Sequence, residues 1–200
     1  MSFQVAFLTT IGATILGTML ALALVKGKFP GKNIVYSLAI SPIIVPFIIT
    51  AIAIYFFYAK LHLVGTIHGM AAAHTIMAIP FVLVLVSTTL QGFDETLERA
   101  SLSLGASPLK TFLFVTLPII RPGVISGAFF AFIVSFDELV IAIFISGIHA
   151  VTLPKRMWDN IRLEIDPTIA AVASMLIGLS IFMMITIELL RKRARDVGGE

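Results

Sequence analysis

The sequence of 200 residues lacks cysteine and contains few charged residues. Without cysteine the chain can form no disulfide, no thiol nucleophile and no cysteine-ligated metal site. Charged residues make up 12% of the chain, whereas a soluble domain carries about 25%. Hydrophobic residues make up 58%, and the mean hydropathy is +1.05. This composition predicts that lipid, rather than water, surrounds much of the chain.

The first 25 residues contain no charged side chain. A secretory signal peptide begins with a basic region and has a shorter apolar run, so this stretch does not fit one. It is instead the first of five apolar segments that reach the length needed to span a bilayer, about 20 residues. The five segments are residues 5–25, 34–58, 70–90, 123–146 and 167–190.

These segments are continuous apolar runs rather than short alternating strands, so we predict helices and not a β-barrel. The sequence therefore predicts an all-α, polytopic membrane protein with five transmembrane helices and a single domain over residues 1–200. Three prolines, Pro42, Pro46 and Pro80, are expected to kink their helices.

The basic residues are unevenly distributed between the connecting segments. Residues 26–33, residues 91–122 and the tail after residue 190 hold ten of the 14 Lys and Arg residues. Because cytoplasmic segments carry the excess of basic residues, we predict that these segments lie inside and that Met1 lies outside. An uncharged start that must cross the membrane leads us to expect a further helix before Met1, with a natural five-helix form as the alternative.

The long inner loop, residues 91–122, is predicted to form two short helices joined by a turn. Asp94 is a suitable N-cap for the first helix, and Gly105 suits its left-handed end. Ser107 is expected to cap the second helix, which Pro118 is expected to end or kink. The small residues near the bend are Ala100, Ser101, Gly105 and Ala106. These residues fit either a knob that docks on another protein or an ordinary amphipathic connector.

The loop resembles the EAA motif, which is the coupling loop of ATP-binding-cassette (ABC) importer permeases. In that family Glu-Ala-Ala is followed by three residues, Gly, nine residues, Ile, one residue and Leu-Pro. The residues at the corresponding positions here are Arg99-Ala100-Ser101, Gly105, Val115 and Leu117-Pro118.

The departure from the motif lies at its first position. Arg99 stands where the family has Glu, and Glu98 lies one place earlier. If the family's Glu pairs with a basic residue of the ATPase, Glu98 would have to supply that pairing from a face turned by about 100°.

The resemblance extends to the spermidine/putrescine branch of these permeases through residues 81–90, 135–139, 154–157 and 162–167. It implies the type I importer fold, whose members typically have six helices, so the chain would lack the first. It also implies that the chain lies in the bacterial inner membrane, together with a second permease subunit, two ATPase subunits that receive the coupling loops, and an extracytoplasmic substrate-binding protein.

The chain carries no recognisable nucleotide site. Residues 27–33 have three residues between two glycines where a phosphate-binding loop needs four, and Asn33 stands where Ser or Thr should meet magnesium. ATP would therefore be bound by a partner, and the chain itself would need no cofactor. Since no nucleophilic triad or zinc spacing is visible, we expect no enzyme activity, and we expect lipids but no nucleic acid among its partners.

Asp137 and Glu138 lie about halfway along the fourth predicted helix. An acid at that depth costs about 2.5–3.5 kcal/mol on insertion scales and usually faces a bundle interior or a transport path. Two acids would suit a cationic cargo such as a polyamine. The structural alternative is that one or both hydrogen-bond to neighbouring helices, which is also the expectation for the lone membrane histidine, His74.

Three alternatives to polyamine import by an ABC permease are open. An ion-coupled secondary transporter could use Asp137 and Glu138 as proton or sodium sites, although such folds tend to carry internal repeats, which this sequence lacks. An ABC permease for another small solute would share the coupling loop. A membrane anchor without a transport role is disfavoured by the two acids.

Overall fold

The computed structural model describes residues 1–148, 150–163 and 168–197, and the elements in these ranges are all helices. Four of the described helical stretches are long and apolar enough to cross a membrane, and a bent pair of helices makes a fifth if it counts as one broken span. They are Ser2–Lys26 (α1), the bent pair Lys32–Ile44 (α2) and Phe47–Lys60 (α3), Ile67–Gln91 (α4), Pro108–Asp137, and Ala171–Glu188 within Thr168–Val197 (α10). The all-α membrane fold predicted above is confirmed.

The change of direction expected at Pro46 is present, but it is a full break rather than a kink in one helix over residues 34–58, because α2 and α3 meet at an angle of 106°. Val45 and Pro46 have extended backbone angles between the two helices. Pro46 has no N–H to donate and disfavours helical geometry in the residue before it, so the break follows from the sequence. Pro42 stays inside α2.

The helix that was predicted over residues 123–146 has different bounds. It begins at Pro108 with a short helix, Pro108–Thr111 (α6), continues through a π-helical turn at Phe112–Thr116, and runs on as Leu117–Asp137 (α7). Of the two expectations for Pro118, an end or a kink, the end is wrong, since this proline lies in the first turn of α7. The wide π-turn just before it is a place where the backbone hydrogen-bond register already changes, which lessens the effect of a missing N–H.

The far end of this span is also interrupted. Glu138 has an extended conformation (φ −70°, ψ 117°), and a separate short helix, Val140–Ile145 (α8), follows it. An amphipathic helix, Leu153–Leu163 (α9), then leads to α10. The predicted first residue of the fifth span, Pro167, lies outside the described residues.

Close packing of α1, α4 and α7 forms the centre of the molecule. At Gly17 and Gly127, a side-chain carbon would come within 3.2 Å of Val82, so α1 and α7 approach α4 at the same place from two sides. Membrane helices associate through such small residues because lipid offers no hydrophobic driving force between helices.

Gly123 provides a sharp test of this packing. A Cβ at this position would lie 2.2 Å from Thr89 Oγ1 and 3.0 Å from the backbone oxygen of Leu85. We expect Gly123→Val to lower the free energy of unfolding of the purified protein by about 1–3 kcal/mol, the usual cost of overpacking, and so to lower its melting temperature. Gly178→Val is the matched control, because no described atom lies within 4 Å of its Cβ position. Equal melting temperatures for the two variants would contradict the proposed close approach.

Contacts at the two ends of the bundle agree with the predicted topology. Lys26, the last residue of α1, forms an ion pair with Glu98 of the loop after α4, so the two predicted inner segments lie together. At the opposite end, the amide of Gly65 donates to the carbonyl of Ile145 over 2.9 Å. The segments predicted to lie on one side of the membrane are therefore at the same end of the molecule.

The topology predicts which positions an impermeant thiol reagent can reach. The native chain has no cysteine, so single cysteines can be introduced without background. In intact cells we expect cysteine at Leu61 or Asn160 to react and cysteine at Lys28 or Ser107 to be protected until the membrane is permeabilised. All four positions are exposed to solvent in the isolated chain. The reverse labelling pattern would overturn the orientation.

Candidate coupling loop and translocation site

The helix Glu95–Ser103 (α5) begins as the sequence predicts. The Asp94 carboxylate Oδ1 accepts a hydrogen bond of 2.9 Å from the amide of Thr96. This bond holds the pKa of Asp94 below its ordinary value, so the cap is ionised at neutral pH. All nine residues of α5 are described and none is buried, so the helix projects from the bundle, which it contacts through Glu98.

The turn after α5 depends on Gly105. Its φ is +85°, a left-handed conformation that is easy for glycine alone, and no described atom lies within 4 Å of its Cβ position. The amide of Gly105 donates to Leu102, and the amide of Ala106 donates to Ser101. These bonds are typical of a glycine-terminated helix.

The second helix of the loop starts where it was predicted to start. Ser107 Oγ accepts a bond of 3.4 Å from the amide of Lys110, and Pro108 is the first residue of α6. Ser101 and Thr111 are joined through their hydroxyl groups at 3.0 Å, which ties α5 to the end of α6. The helix–turn–helix is thus a defined hairpin, whose bend is made of the small residues that the sequence singled out.

Apolar side chains project from the tip and outer face of this hairpin. Leu104 is 89% exposed and Leu109 is 68% exposed. Both leucines lie in the loop that the sequence predicts to be on the cytoplasmic side. Leu117, by contrast, packs at the root of the hairpin against the bundle, and Pro118 follows it in α7.

Glu98 and Arg99 face different surroundings. The Glu98 carboxylate accepts hydrogen bonds from Lys26 and Thr116, so it faces its own chain. Arg99 is exposed and pairs with Glu95 over 3.4 Å. Partial burial raises the pKa of Glu98, but the bonds from Lys26 and Thr116 outweigh it and hold the pKa below its ordinary value. It is Arg99, and not Glu98, that this geometry offers to a partner.

The sequence did not predict that Lys26 and Thr116 would contact Glu98 of the candidate coupling loop. Their sequence separations from Glu98 are 72 and 18 residues. The available signal was weak: Lys26 was recognised as a basic residue at the inner end of the first span, but no rule of spacing joins it to the loop.

Glu138 is buried at the break between α7 and α8. Its Oε2 accepts a bond of 2.9 Å from the amide of Ile141, so its carboxylate caps the short helix α8. Carboxylates suit this position because the free amides of a helix start attract negative charge. Glu138 therefore fits the alternative given for the two acids, in which a carboxylate hydrogen-bonds to a neighbouring helix.

The side chain of Asp137 does not share the buried surroundings of Glu138. It is exposed and borders a crevice of about 370 Å³ between α7 and α10. The remaining lining is almost entirely apolar and includes Phe136, Leu176 and Ser180. Asp137 is the last residue of the candidate span Pro108–Asp137, and a carboxylate beside an apolar crevice can attract a cation. The two neighbouring acids thus have different surroundings, as their adjacent positions require.

His74 is fully buried in α4, and its Nδ1 lies 2.9 Å from Ser135 Oγ in α7. The expectation that it joins two helices by a hydrogen bond is confirmed. Ser135 lies two residues before Asp137, so this bond fixes the end of α7 that presents the aspartate. Within the described residues no group of three His, Asp or Glu side chains is placed to hold a metal ion.

Residues 13–196 match the family described as the binding-protein-dependent transport system inner membrane component. The chain belongs to this family. A similar relative is the putrescine transport system permease protein PotI of Escherichia coli strain K12, which is 37% identical over 185 residues, or 89% of the chain and 66% of the relative. The spermidine/putrescine transport system permease protein PotC of Haemophilus influenzae is 28% identical over 96% of the chain and 75% of the relative.

Solved structures support the same fold. Inward-facing MetNI, a methionine ABC transporter, gives a TM-score of 0.76 at 18% identity, over 96% of this chain and 92% of the matched chain. An amino acid ABC transporter solved with histidines gives 0.68, also at 18% identity, over 96% and 90%. The type I importer permease fold predicted from the resemblance is confirmed, and the family description with the five membrane spans identifies a multi-pass inner-membrane protein. The chain spans about two thirds of the length of the putrescine permease relative.

Proposed function

We propose that the chain is a transmembrane subunit of an ABC importer and forms part of the pathway for a polyamine. The observation that carries the proposal is the hairpin of α5 and α6, which projects from the bundle and exposes Leu104 and Leu109. A stable helical hairpin with exposed leucines is suited to a groove on another protein. In this family that partner would be an ATPase subunit, with ATP bound there and not by this chain.

The remaining partners follow from the same proposal. A second permease subunit would complete the pathway, because the outer faces of the spans are left open: α2, all of whose residues are described, has no buried residue. The corresponding hairpin of the second permease subunit would dock on the other ATPase subunit. A substrate-binding protein would deliver the cargo at the outer end, where α9 lies.

The proposed cargo is a polyamine. The names of two relatives specify putrescine and spermidine/putrescine. Asp137 offers the matching chemistry, since its carboxylate would pair with an ammonium group while the apolar lining of the crevice contacts the methylene groups of such a solute. An ion-coupled secondary transporter is not favoured, because it would leave the exposed coupling hairpin without a role.

The proposal can be tested in the natural host by deleting the chain and measuring initial uptake of labelled putrescine, spermidine and methionine. Loss of polyamine uptake alone, restored by the full chain, would support the proposal. Loss of methionine uptake alone would support a permease function but would show that the cargo is methionine and not a polyamine. Unchanged uptake of all three solutes would remove the support for polyamine import.

A further inference from the structure

Glu98 is the meeting point of three elements that are far apart in the sequence. Its Oε1 accepts a hydrogen bond from the ammonium group of Lys26, at the end of α1. The same oxygen accepts a bond from the hydroxyl group of Thr116, in the π-turn between α6 and α7. The Lys26 ammonium also lies 4.3 Å from the centre of the Phe93 ring, just before α5. One carboxylate oxygen thus joins α5 to two membrane helices.

This ion pair is more sheltered than the other pair on α5. The side chains of Lys26 and Glu98 are 22% and 24% exposed, whereas those of Arg99 and Glu95 are 77% and 59% exposed. Exposed pairs contribute little, but removing one member of a sheltered pair leaves an uncompensated charge. Thr116 is almost fully buried, so its hydroxyl group needs the carboxylate as an acceptor.

The position of the pair matters because α5 has few other attachments. It has no buried residue among its nine, all of which the structure describes. Its remaining side-chain link to the rest of the loop is the bond from Ser101 to Thr111, which stays within the hairpin. The Glu98 contacts therefore connect the projecting helix to the bundle itself.

We propose that Lys26, Glu98 and Thr116 form a clamp that makes the coupling hairpin move as one body with the inner ends of α1 and α7. Glu98 is then a positioning residue, which transmits movement between the hairpin and the membrane helices, and not a contact to the ATPase. The clamp rests on the proposed function for its consequence in transport, but its geometry can be tested separately.

The first test separates coupling from assembly. In the complete complex, reconstituted in proteoliposomes, we expect Glu98→Gln and Lys26→Met to lower solute uptake about tenfold while ATP hydrolysis falls less than twofold. The charge-reversed pair Lys26→Glu with Glu98→Lys should recover much of the uptake. Glu95→Gln is the matched control, since it removes the same charge from an exposed pair on the same helix, and it should leave both rates unchanged.

Two results would overturn the clamp in this test. Equal uptake per ATP in Glu98→Gln and Glu95→Gln would show that the sheltered pair has no role in coupling. Loss of ATPase subunits from Glu98→Gln, not restored by the charge-reversed pair, would show that Glu98 contacts the ATPase directly. A parent complex that neither hydrolyses ATP nor takes up solute would refute the proposed function instead, and the clamp would then be judged by cross-linking.

The second test uses the absence of native cysteine. Cysteines at positions 26 and 98 should be joined in the membrane by a bis-methanethiosulfonate cross-linker, which is long enough to replace the two missing side chains and is removed by reduction, and this measurement needs no transport activity. Because the clamp joins parts that move together, the cross-linked protein should still transport, at a rate at least as high as after reduction. No cross-link with this reagent, or transport that stops on cross-linking and returns on reduction, would contradict the clamp.

Discussion

Replacing Gly105 by Val is expected to lower ATP-driven uptake by about 5–30-fold while leaving the protein in the membrane. The reason is conformational, because Gly105 has a φ of +85° and its Cβ position is open. An L-residue in a left-handed conformation costs about 1–2 kcal/mol, and a β-branched residue tolerates it least. A cost of that size reduces the fraction of hairpins with the native bend by about 5–30-fold. ATPase subunits should co-purify in proportion.

Gly92→Val is the matched control for this prediction. Gly92 lies at the other end of the same loop, also at a helix end, but its φ is −89° and the nearest atom to its Cβ position is 3.9 Å away. Valine is therefore accommodated without a left-handed strain. Co-purification and uptake that are the same in the two variants would show that the bend at Gly105 is not required for docking.

Replacing Asp137 by Asn is expected to lower polyamine uptake at least about fivefold with assembly unchanged. Asn keeps the side-chain volume and removes the charge. Two unit charges at 4 Å attract by about 1 kcal/mol in water and about 4 kcal/mol near a protein surface, so the lost attraction spans that range. Asp137 borders an open crevice and supports no described helix cap, so the fold should tolerate the change. The measurement is the initial uptake rate per assembled complex.

Glu138→Gln removes the same charge one position along the chain. Its side-chain oxygen can still accept the bond from the amide of Ile141, so α8 keeps its cap and uptake should stay close to that of the parent. A larger loss of uptake in Glu138→Gln than in Asp137→Asn would show that the buried Glu138, and not Asp137, attracts the cation. Normal uptake in both variants would show that neither acid takes part in the translocation pathway.

Much of the hairpin could be predicted from the sequence because its signals are local. Asp94, Gly105 and Ser107 each act on backbone groups within a few residues, and each is found in the predicted role. The five spans were located for a similar reason, since a continuous apolar run of sufficient length has few other uses.

The errors fall where one residue serves distant partners or where two local rules compete. Hydropathy alone could not show that residues 34–58 contain a sharp bend, although Pro46 pointed to the place. The end of α7 at Asp137 was missed because the apolar run continues past it to residue 145. The pairing of Glu98 with Lys26 depends on how α1 packs beside the loop, and no short-range pattern encodes that.

The different roles of Asp137 and Glu138 could be foreseen only in part. The angle of about 100° between neighbouring helical residues already implied that they face different surroundings. Which of them would be enclosed depends on the break after α7, and the free amides of α8 determine that it is Glu138. The exposure of Asp137 depends in turn on the crevice beside α10.

The most direct test of the account is uptake of labelled putrescine by proteoliposomes that contain the chain with its second permease subunit and two ATPase subunits. The account predicts accumulation when ATP is enclosed with the ATPase subunits and the substrate-binding protein is outside, with no effect of ionophores that abolish proton and sodium gradients. Accumulation without ATP that ionophores abolish would contradict it and would show an ion-coupled transporter instead.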